Sequence, residues 1–187
     1  MESMLNKWDY TGASSVCYSD TKNQYSYIKP AEFLGNGQVE DWGCGTAWAK
    51  RYFTDYKGID GSFHKNVDEI ADLTRYVSKC DNILMRQVLE FNWDWEKILQ
   101  NVKKSFRKKF CLVVMTPLVE ETRIDKIDPV VNHLGQELEE NNTPNIFFNK
   151  QDILAFFPEP EYKVSEELHP VDRIWPNEWI LYVEKIS

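Results

Sequence analysis

The chain has 187 residues and a formal net charge of −8, from 22 Lys and Arg against 30 Asp and Glu. This length suits one domain with a sizeable core and leaves little room for a second. The acidic balance argues against DNA as a partner, because polyanions normally need a basic face. No apolar run approaches the ~20 residues of a membrane span, and the polar N-terminus does not resemble a signal peptide. We therefore expect a soluble, cytoplasmic protein that does not bind membranes.

Cysteine usage agrees with a reducing compartment. The four cysteines, at positions 17, 44, 80 and 111, include no C-x-x-C pair. We therefore expect neither a disulfide framework nor a metal site.

The first part of the chain, residues 1–29, is polar and rich in aromatic side chains without a clear period. We interpret it as an N-terminal arm, either packed by its own rings or acting as a lid over a ligand. Residues 30–187 are expected to form a single domain. This domain would open with a short helix over 30–34, since proline is tolerated in a first helical turn.

A glycine turn follows in the stretch 38–47. A buried strand there ends in Asp41, and a helix is expected from Ala47. Gly43 and Gly45 would let the chain turn tightly and let a ligand lie against bare main chain, at the N–H groups of the new helix. Such a unit is typical of a nucleotide-type site at the carboxyl end of a parallel sheet. Trp48 opposes a nicotinamide or flavin site, because a small residue should stand there to pack the helix onto the strand.

The middle of the chain alternates short strands and helices. Strands are predicted over 56–60, 67–71 and 82–85, and a short helix over 73–78. Apolar residues at helical spacing predict a helix over 93–106, and the apolar run 110–116 predicts a central parallel strand. The basic cluster 103–109 falls at a predicted helix end, where cations suit the helix dipole, and we prefer this interpretation to a polyanion-binding patch.

The last third of the chain is predicted to hold two helices and two strands. Asp128-Pro129 is a favourable helix start, and Val131, Leu134 and Leu138 continue one apolar face. A second helix is predicted from the cap at Asn149 to Phe157. Strands over 162–167 and 178–185 would form an antiparallel pair.

The pattern Asp41-x-Gly43-x-Gly45 resembles the first motif of class I S-adenosylmethionine-dependent methyltransferases, with Ala47 in place of the last glycine. The resemblance continues in order through Asp60, Asp72 and the segment after the fourth strand, over about residues 38–116. It implies an α/β fold: a three-layer sandwich with a mostly parallel seven-stranded sheet that ends in an antiparallel strand pair.

The resemblance also implies S-adenosylmethionine as the cofactor. Asp60 would accept hydrogen bonds from the ribose hydroxyls, and Asp72 and the next N–H would meet the adenine ring. From the residues alone, Asp60 could equally be a turn residue, and Asp72 a helix cap. The residues for which the resemblance implies contact with the cofactor are Asp41, Trp42, Gly43, Cys44, Gly45, Asp60, Gly61, Asp72, Leu73 and Arg86.

The segment after the fourth strand is expected to line the reaction side, through Arg86, Gln87 and Glu90. Related sequences often carry a histidine at the position of Gln87 or Phe91, so this chain departs from them there. Arg86 could bind an acidic acceptor group or pair with a surface carboxylate. Glu90 could serve as a base or could equally be a carboxylate at a helix start. The histidines that could serve as a base elsewhere, each better explained as a surface or capped residue, are His64, His133 and His169.

These features predict a methyltransferase that moves a methyl group to an oxygen or nitrogen of a small-molecule or sugar-like acceptor. The turn Asp/Asn-Pro-Pro-aromatic and the Pro-Cys nucleophile of DNA base methyltransferases are missing from the expected place. The alternatives are a protein that kept the fold without transfer activity, a protein or RNA methyltransferase, and an NAD-linked oxidoreductase. The sequence leaves the oligomeric state open.

Overall fold

The structure is a computed structural model, and it describes residues 24–131, 137–171 and 177–186. Most of the expected N-terminal arm, together with Cys17 and His133, lies outside these ranges. The described helices are α1 (Tyr25–Leu34), α2 (Trp95–Ser105) and α3 (Lys150–Leu154), and short 3₁₀ segments cover Trp48–Tyr52 and Leu89–Phe91. The described strands are β1 (Val39–Trp42), β2 (Tyr56–Asp60), β3 (Glu69–Ile70), β4 (Cys80–Arg86), β5 (Phe106–Val114), β6 (Arg123–Val131), β7 (Glu137–Phe147), β8 (Tyr162–Pro170) and β9 (Asn177–Lys185).

Seven of these strands form one mixed sheet, in the order β3-β2-β1-β4-β5-β9-β8. The first five strands in this order pair in parallel. Strand β9 runs antiparallel to both β5 and β8. The predicted fold class, a mostly parallel seven-stranded sheet that ends in an antiparallel pair, is confirmed.

Both faces of the central strands are buried, as the continuous apolar run in β5 predicts. On one face, α2 packs Ile98, Leu99 and Val102 against strand residues such as Leu112. Each such side chain stabilises the fold by about 1.5–3 kcal/mol on burial. On the other face, Tyr27 and Leu34 of α1 belong to a separate cluster of buried residues with neighbours from β1, β4, β5 and β9. The sheet therefore lies between two layers of covering segments.

The helix predicted from Asp128 is wrong. Strands β6 and β7 form an antiparallel two-stranded sheet in its place. Asn145 donates a hydrogen bond to Asp128 Oδ2 at 2.8 Å, so this pairing consumes the carboxylate that would have opened a helix. Pro129 lies in β6, where proline is tolerated because the strand has a free edge. Long-range pairing overrides the local helical spacing of Val131, Leu134 and Leu138.

Two connections predicted as helices are also wrong. The chain after Ala47 forms only the 3₁₀ segment Trp48–Tyr52, since Ala47 itself has a left-handed backbone with φ of 58°. The stretch 73–78 is a turn over 73–75 followed by chain without regular secondary structure. There the N–H of Ser78 donates to Ser105 Oγ at 2.9 Å and its hydroxyl donates to Glu40 Oε2 at 2.7 Å. These two bonds fix Ser78 just before β4.

Other boundaries differ by a few residues. Helix α1 begins at Tyr25, so Pro30 lies inside it and not in its first turn. The third strand is limited to Glu69–Ile70. The predicted cap at Asn149 is confirmed, because its side chain accepts a hydrogen bond from the N–H of Gln151 at 2.9 Å. None of the helices in the described part of the chain is long and apolar enough to cross a membrane.

Candidate functional site

The order of the sheet reverses at β1, which has β2 on one side and β4 on the other. Connections from β1 and β4 leave toward opposite faces at such a point, and the crevice between them is where open α/β sheets bind ligands. Asp41, Asp60 and Arg86 lie at or next to the carboxyl ends of these three strands. The fold therefore brings residues of three predicted motifs to one edge of the sheet.

The glycine turn after β1 has the backbone that its sequence predicts. Gly43 and Gly45 have φ of 79° and 56°, in the left-handed region that glycine favours. The N–H groups of Gly43 and Cys44 both donate to the carbonyl of Ile59, at 2.8 and 3.1 Å. This turn is thus fixed against the end of β2.

Asp60 joins this turn to the turn after β2. Its side chain is buried, and Oδ2 accepts the N–H of Gly45 while Oδ1 accepts the N–H of Ser62, both at 2.8 Å. Gly61 lies between Asp60 and Ser62 and is half-buried. The carboxylate is therefore held in one orientation at the crevice by two backbone donors.

Asp41 lies one strand away and is also buried. The hydroxyl of Tyr56 donates to its Oδ2 at 2.7 Å. Burial raises the pKa of Asp41 to about 7, against the opposing effects of the Tyr56 hydrogen bond and the Arg86 charge, and the neighbouring Asp60 raises it further. Burial thus favours the protonated form of Asp41 in comparison with an exposed aspartate.

Asp72 caps a turn. Its Oδ1 accepts both the N–H and the hydroxyl of Thr74, at 3.0 and 2.7 Å, and its carbonyl accepts the N–H groups of Arg75 and Tyr76. Asp72 therefore acts as a cap, which is the alternative that the sequence left open for it. The capped element is a turn and not a helix. Leu73 is buried in the core. Contact of Asp72 and Leu73 with adenine stays a prediction.

The side chains of Trp42 and Cys44 are directed into the protein. Trp42 is fully buried, and its indole N–H donates to Glu40 Oε2 at 3.0 Å. The Cys44 Sγ packs on β2, where a Cβ added to Gly58 would lie 2.9 Å from it. Both side chains are therefore packed inside the protein, and contact of Trp42 and Cys44 with a cofactor stays a prediction.

The end of β4 carries a buried polar network around Arg86. Its Nε donates to Ser26 Oγ at 3.0 Å, and one terminal nitrogen donates to the Tyr27 hydroxyl and to Gln87 Oε1. The other terminal nitrogen pairs with Glu178 Oε1 at 3.1 Å, and Gln87 Nε2 donates to the same oxygen at 2.6 Å. All three nitrogens of the guanidinium are therefore engaged by its own chain.

Sequence reasoning missed Ser26, Tyr27 and Glu178 as members of this network. Glu178 is a fully buried acid immediately before the apolar run of β9. The only signal for Glu178 in the sequence is an acid at the start of an apolar run, and this signal does not identify Arg86 as its partner.

Glu90 lies in the 3₁₀ segment after β4 and is fully buried. Its Oε1 accepts the N–H of Met115, just after β5, at 3.0 Å. Its Oε2 is buried without a hydrogen-bond partner among the described residues. Burial raises the pKa of Glu90 to about 7, while the Met115 hydrogen bond and Arg86 oppose the shift and Glu178 adds to it. Arg86 and Gln87 are hydrogen-bonded within the chain, whereas the Oε2 oxygen of Glu90 accepts no hydrogen bond from a described residue.

The histidines lie in other roles where the structure describes them. His64 is half-buried, and its Nδ1 accepts the N–H of Asn66 at 3.2 Å. His169 stacks on Tyr25 with ring centroids 3.8 Å apart. Within the described ranges, no group of three or more His, Cys, Asp or Glu side chains could hold a metal ion.

Comparison with known proteins gives structural matches only. No protein-family model and no curated protein sequence matches the chain. Among solved structures, it is similar to the N-methyltransferase NodS from Bradyrhizobium japonicum bound to S-adenosylhomocysteine (TM-score 0.64, 7% identity, 97% of this chain and 100% of that chain covered). It is also similar to magnesium protoporphyrin IX methyltransferase from Synechocystis (TM-score 0.57, 11% identity, 95% and 91% covered). A third match is an amino pentose methyltransferase from Micromonospora echinaspora (TM-score 0.54, 10% identity, 87% and 91% covered).

These likenesses extend over most of each chain. Identities this low establish the fold and leave activity to be argued from the site. The chain has the Rossmann-like fold of class I S-adenosylmethionine-dependent methyltransferases.

Proposed function

We propose that this protein is an S-adenosylmethionine-dependent methyltransferase that acts on an oxygen or nitrogen of a small-molecule or sugar-like acceptor. The observation that carries the proposal is the buried carboxylate of Asp60, which lies at the end of β2 and accepts the N–H of Gly45. This hydrogen bond connects the acid of the second motif to the glycine turn of the first motif, at the edge of the sheet where this fold binds ligands.

The chemistry of the crevice suits this cofactor. The cofactor carries a ribose diol, an ammonium group and a sulfonium, which are hydrogen-bond donors or cations. Carboxylates suit these groups, because a carboxylate accepts hydrogen bonds and is negatively charged. Asp60 would hold the ribose hydroxyls, the backbone of the turn 43–45 would lie along the methionine part, and Asp72 with the N–H of Leu73 would hold the adenine. When bound, the cofactor supplies a methyl group on sulfur that is already activated for displacement.

The protein must hold the acceptor atom in line with the methyl–sulfur bond and exclude water. Strand β7 packs against the 3₁₀ segment Leu89–Phe91. The indole N–H of Trp93 donates a hydrogen bond to the carbonyl of Asn142 in β7 at 3.5 Å. The hairpin β6–β7, inserted after β5, thus covers the end of β4, where Arg86, Gln87 and Glu90 lie. We assign acceptor binding to this covered region.

The similar structures support a small-molecule acceptor. One of the proteins named above is an N-methyltransferase, one acts on magnesium protoporphyrin IX and one on an amino pentose. Small acceptors also suit a site that is enclosed by a hairpin, since a protein or RNA substrate needs an open groove.

A second candidate function is a protein that keeps the fold without transfer. Two observations favour it. Asp60 is already satisfied by two backbone N–H groups, and Arg86 is satisfied by its own chain. This candidate predicts no turnover, with or without cofactor binding.

Calorimetric titration with S-adenosylmethionine and S-adenosylhomocysteine tests the proposal. We expect the wild type to bind both and Asp60→Ala to lose binding. Asp81→Ala is the control, because Asp81 accepts a hydrogen bond from Lys108 Nζ at 2.7 Å and lies at the beginning of β4, at the other end of that strand from Arg86. The melting temperature of each variant checks that it is folded. Loss of binding in both folded variants would mean that Asp60 has no specific part in it, and absence of binding to the wild type would refute the proposal.

A further inference from the structure

Buried carboxylates crowd the carboxyl edge of the sheet. Asp41, Asp60, Glu90 and Glu178 are each no more than 5% exposed. Arg86 is the cation whose charge acts on Asp41 and on Glu90, and it forms the ion pair with Glu178. One guanidinium balances one carboxylate, so the edge retains an excess of acids.

Arg86 is not free to bind an acidic acceptor. It donates hydrogen bonds through all three guanidinium nitrogens, and its cation also lies over the Tyr27 ring, 4.3 Å from the centroid. A carboxylate or phosphate on the acceptor would have to displace Glu178 from Arg86 and would leave another acid unpaired in a buried place. Burying an unpaired charge is strongly unfavourable.

Glu90 offers the complementary feature. One oxygen is fixed by the N–H of Met115, so the carboxylate cannot turn away, and the other is buried without a partner within the described part of the chain. Buried polar atoms are nearly always paired, so an orphaned one calls for an explanation. A ligand that donates a hydrogen bond and carries positive charge supplies the missing partner.

On the basis of the proposed function, we propose that the methyl acceptor is an amine, and that its nitrogen is bound and deprotonated by the Oε2 oxygen of Glu90. An alcohol would bring no positive charge to the acidic edge, and an acid would bring charge of the wrong sign. The inference narrows the acceptor atom from oxygen or nitrogen to nitrogen, and it gives Glu90 contact with the reacting atom.

The proposed reaction balances. The amine enters as an ammonium ion, and the Glu90 carboxylate takes one proton from it, which frees the nitrogen lone pair. The lone pair forms the new nitrogen–carbon bond, and the electron pair of the carbon–sulfur bond returns to sulfur, which becomes a neutral thioether. The product leaves as a methylammonium ion, and the proton on Glu90 passes to solvent.

Matched sets of small molecules test the inference. Each set shares one skeleton and carries an amine, an alcohol or an acid: phenethylamine, phenethyl alcohol and phenylacetate, then glucosamine, glucose and glucuronate. Melting of the protein saturated with S-adenosylhomocysteine reports binding, and labelled methyl from S-adenosylmethionine reports transfer. We expect stabilisation and methylation by the amine members, and loss of both in Glu90→Gln, with transfer reduced by about a hundredfold or more.

The variant Glu90→Gln keeps a side-chain carbonyl to accept the N–H of Met115, so its fold should survive. Glu121→Gln, in an exposed loop, is the matched control and should behave as the wild type. Equal stabilisation by all members of a set, methylation of an alcohol or acid, or an amine preference that persists in Glu90→Gln would overturn the inference. Absence of S-adenosylmethionine binding to the wild type is a different outcome, because it would refute the proposed function itself.

Discussion

Gly43 and Val88 hold the turns after β1 and β4 in contact without room for a side chain. A Cβ added to Gly43 would lie 2.3 Å from Cγ2 of Val88, which is far inside van der Waals contact. The φ of Gly43, 79°, is also one that other residues rarely adopt. Glycine is therefore needed at position 43, because any other residue would clash with Val88 and would have a strained backbone.

The first prediction follows from this contact. Gly43→Ala should lower the free energy of unfolding by about 2–4 kcal/mol, from overpacking and from a left-handed backbone. Val88→Ala alone should cost about 1–3 kcal/mol. In the double variant the clash with Val88 should disappear. The loss of stability in the double variant should therefore be smaller than the sum of the losses in the two single variants. Chemical denaturation of the four proteins measures this, and strict additivity would show that the contact does not exist.

Much of the sheet could be predicted from sequence because its signals are local. The apolar spacing of α2 and the uninterrupted run of β5 each fix an element without reference to the rest of the chain. The place of Asp60 at the end of β2 could be predicted because a motif puts an acid one strand after the glycine turn, while its contact with a cofactor stays a prediction. The turn around Asp72 and the 3₁₀ segment after Ala47 differ from the predicted helices, because the same cap residues precede a turn and a helix.

The parts that could not be predicted depend on contacts between distant residues. Arg86 and Glu178 are 92 residues apart in the chain, and nothing near either residue identifies the other. Asp128-Pro129 has the local pattern of a helix start, and only pairing with β7 makes it a strand. The candidate site was thus located by its motifs, while the partners that set its charge came from the fold.

The hairpin that replaced the predicted helix leads to a second prediction. Asn145 is buried and donates to Asp128 Oδ2 at 2.8 Å. A double-mutant cycle with Asn145→Ala and Asp128→Ala should give a coupling energy of about 1–2 kcal/mol, since the acceptor is charged. Lys126 pairs with the same carboxylate at the surface, and Lys126→Ala should cost no more than about 0.5 kcal/mol. Zero coupling between Asn145 and Asp128 would contradict the strand register.

The buried ion pair of Arg86 and Glu178 leads to a third prediction, on stability. Glu178→Gln should lower the free energy of unfolding by about 3–5 kcal/mol, because it leaves the guanidinium buried beside a neutral group. Replacing both residues by apolar ones, Arg86→Met with Glu178→Leu, should cost less than either change alone. The exposed pair of Lys29 and Glu32, with an Nζ–Oε2 distance of 2.7 Å, is the reference, and Glu32→Gln should cost about 0.5 kcal/mol or less. Similar losses for the two glutamate variants would mean that the Arg86 pair is hydrated.

The pKa of Asp41 leads to a fourth prediction, on the pH dependence of stability. Burial raises this pKa from 3.8 to about 7 in the folded protein. Between these values the folded protein holds a proton that the unfolded chain has released. Stability should therefore fall as pH rises through this window, by at most about 1.4 kcal/mol per pH unit from this group, and then level off above the folded pKa.

Asp41→Asn removes that contribution while it keeps the shape of the side chain. Its free energy of unfolding, measured by urea denaturation from pH 4.5 to 8.5, should fall less steeply than that of the wild type below about pH 7. Tyr56→Phe should act in the opposite sense, because it removes the hydrogen bond that opposes the rise in the pKa of Asp41, and the falling region should extend to higher pH. Parallel curves for the wild type and Asp41→Asn would show that Asp41 is ionised in the folded protein over the whole range, and that the crevice is wetter than its burial implies.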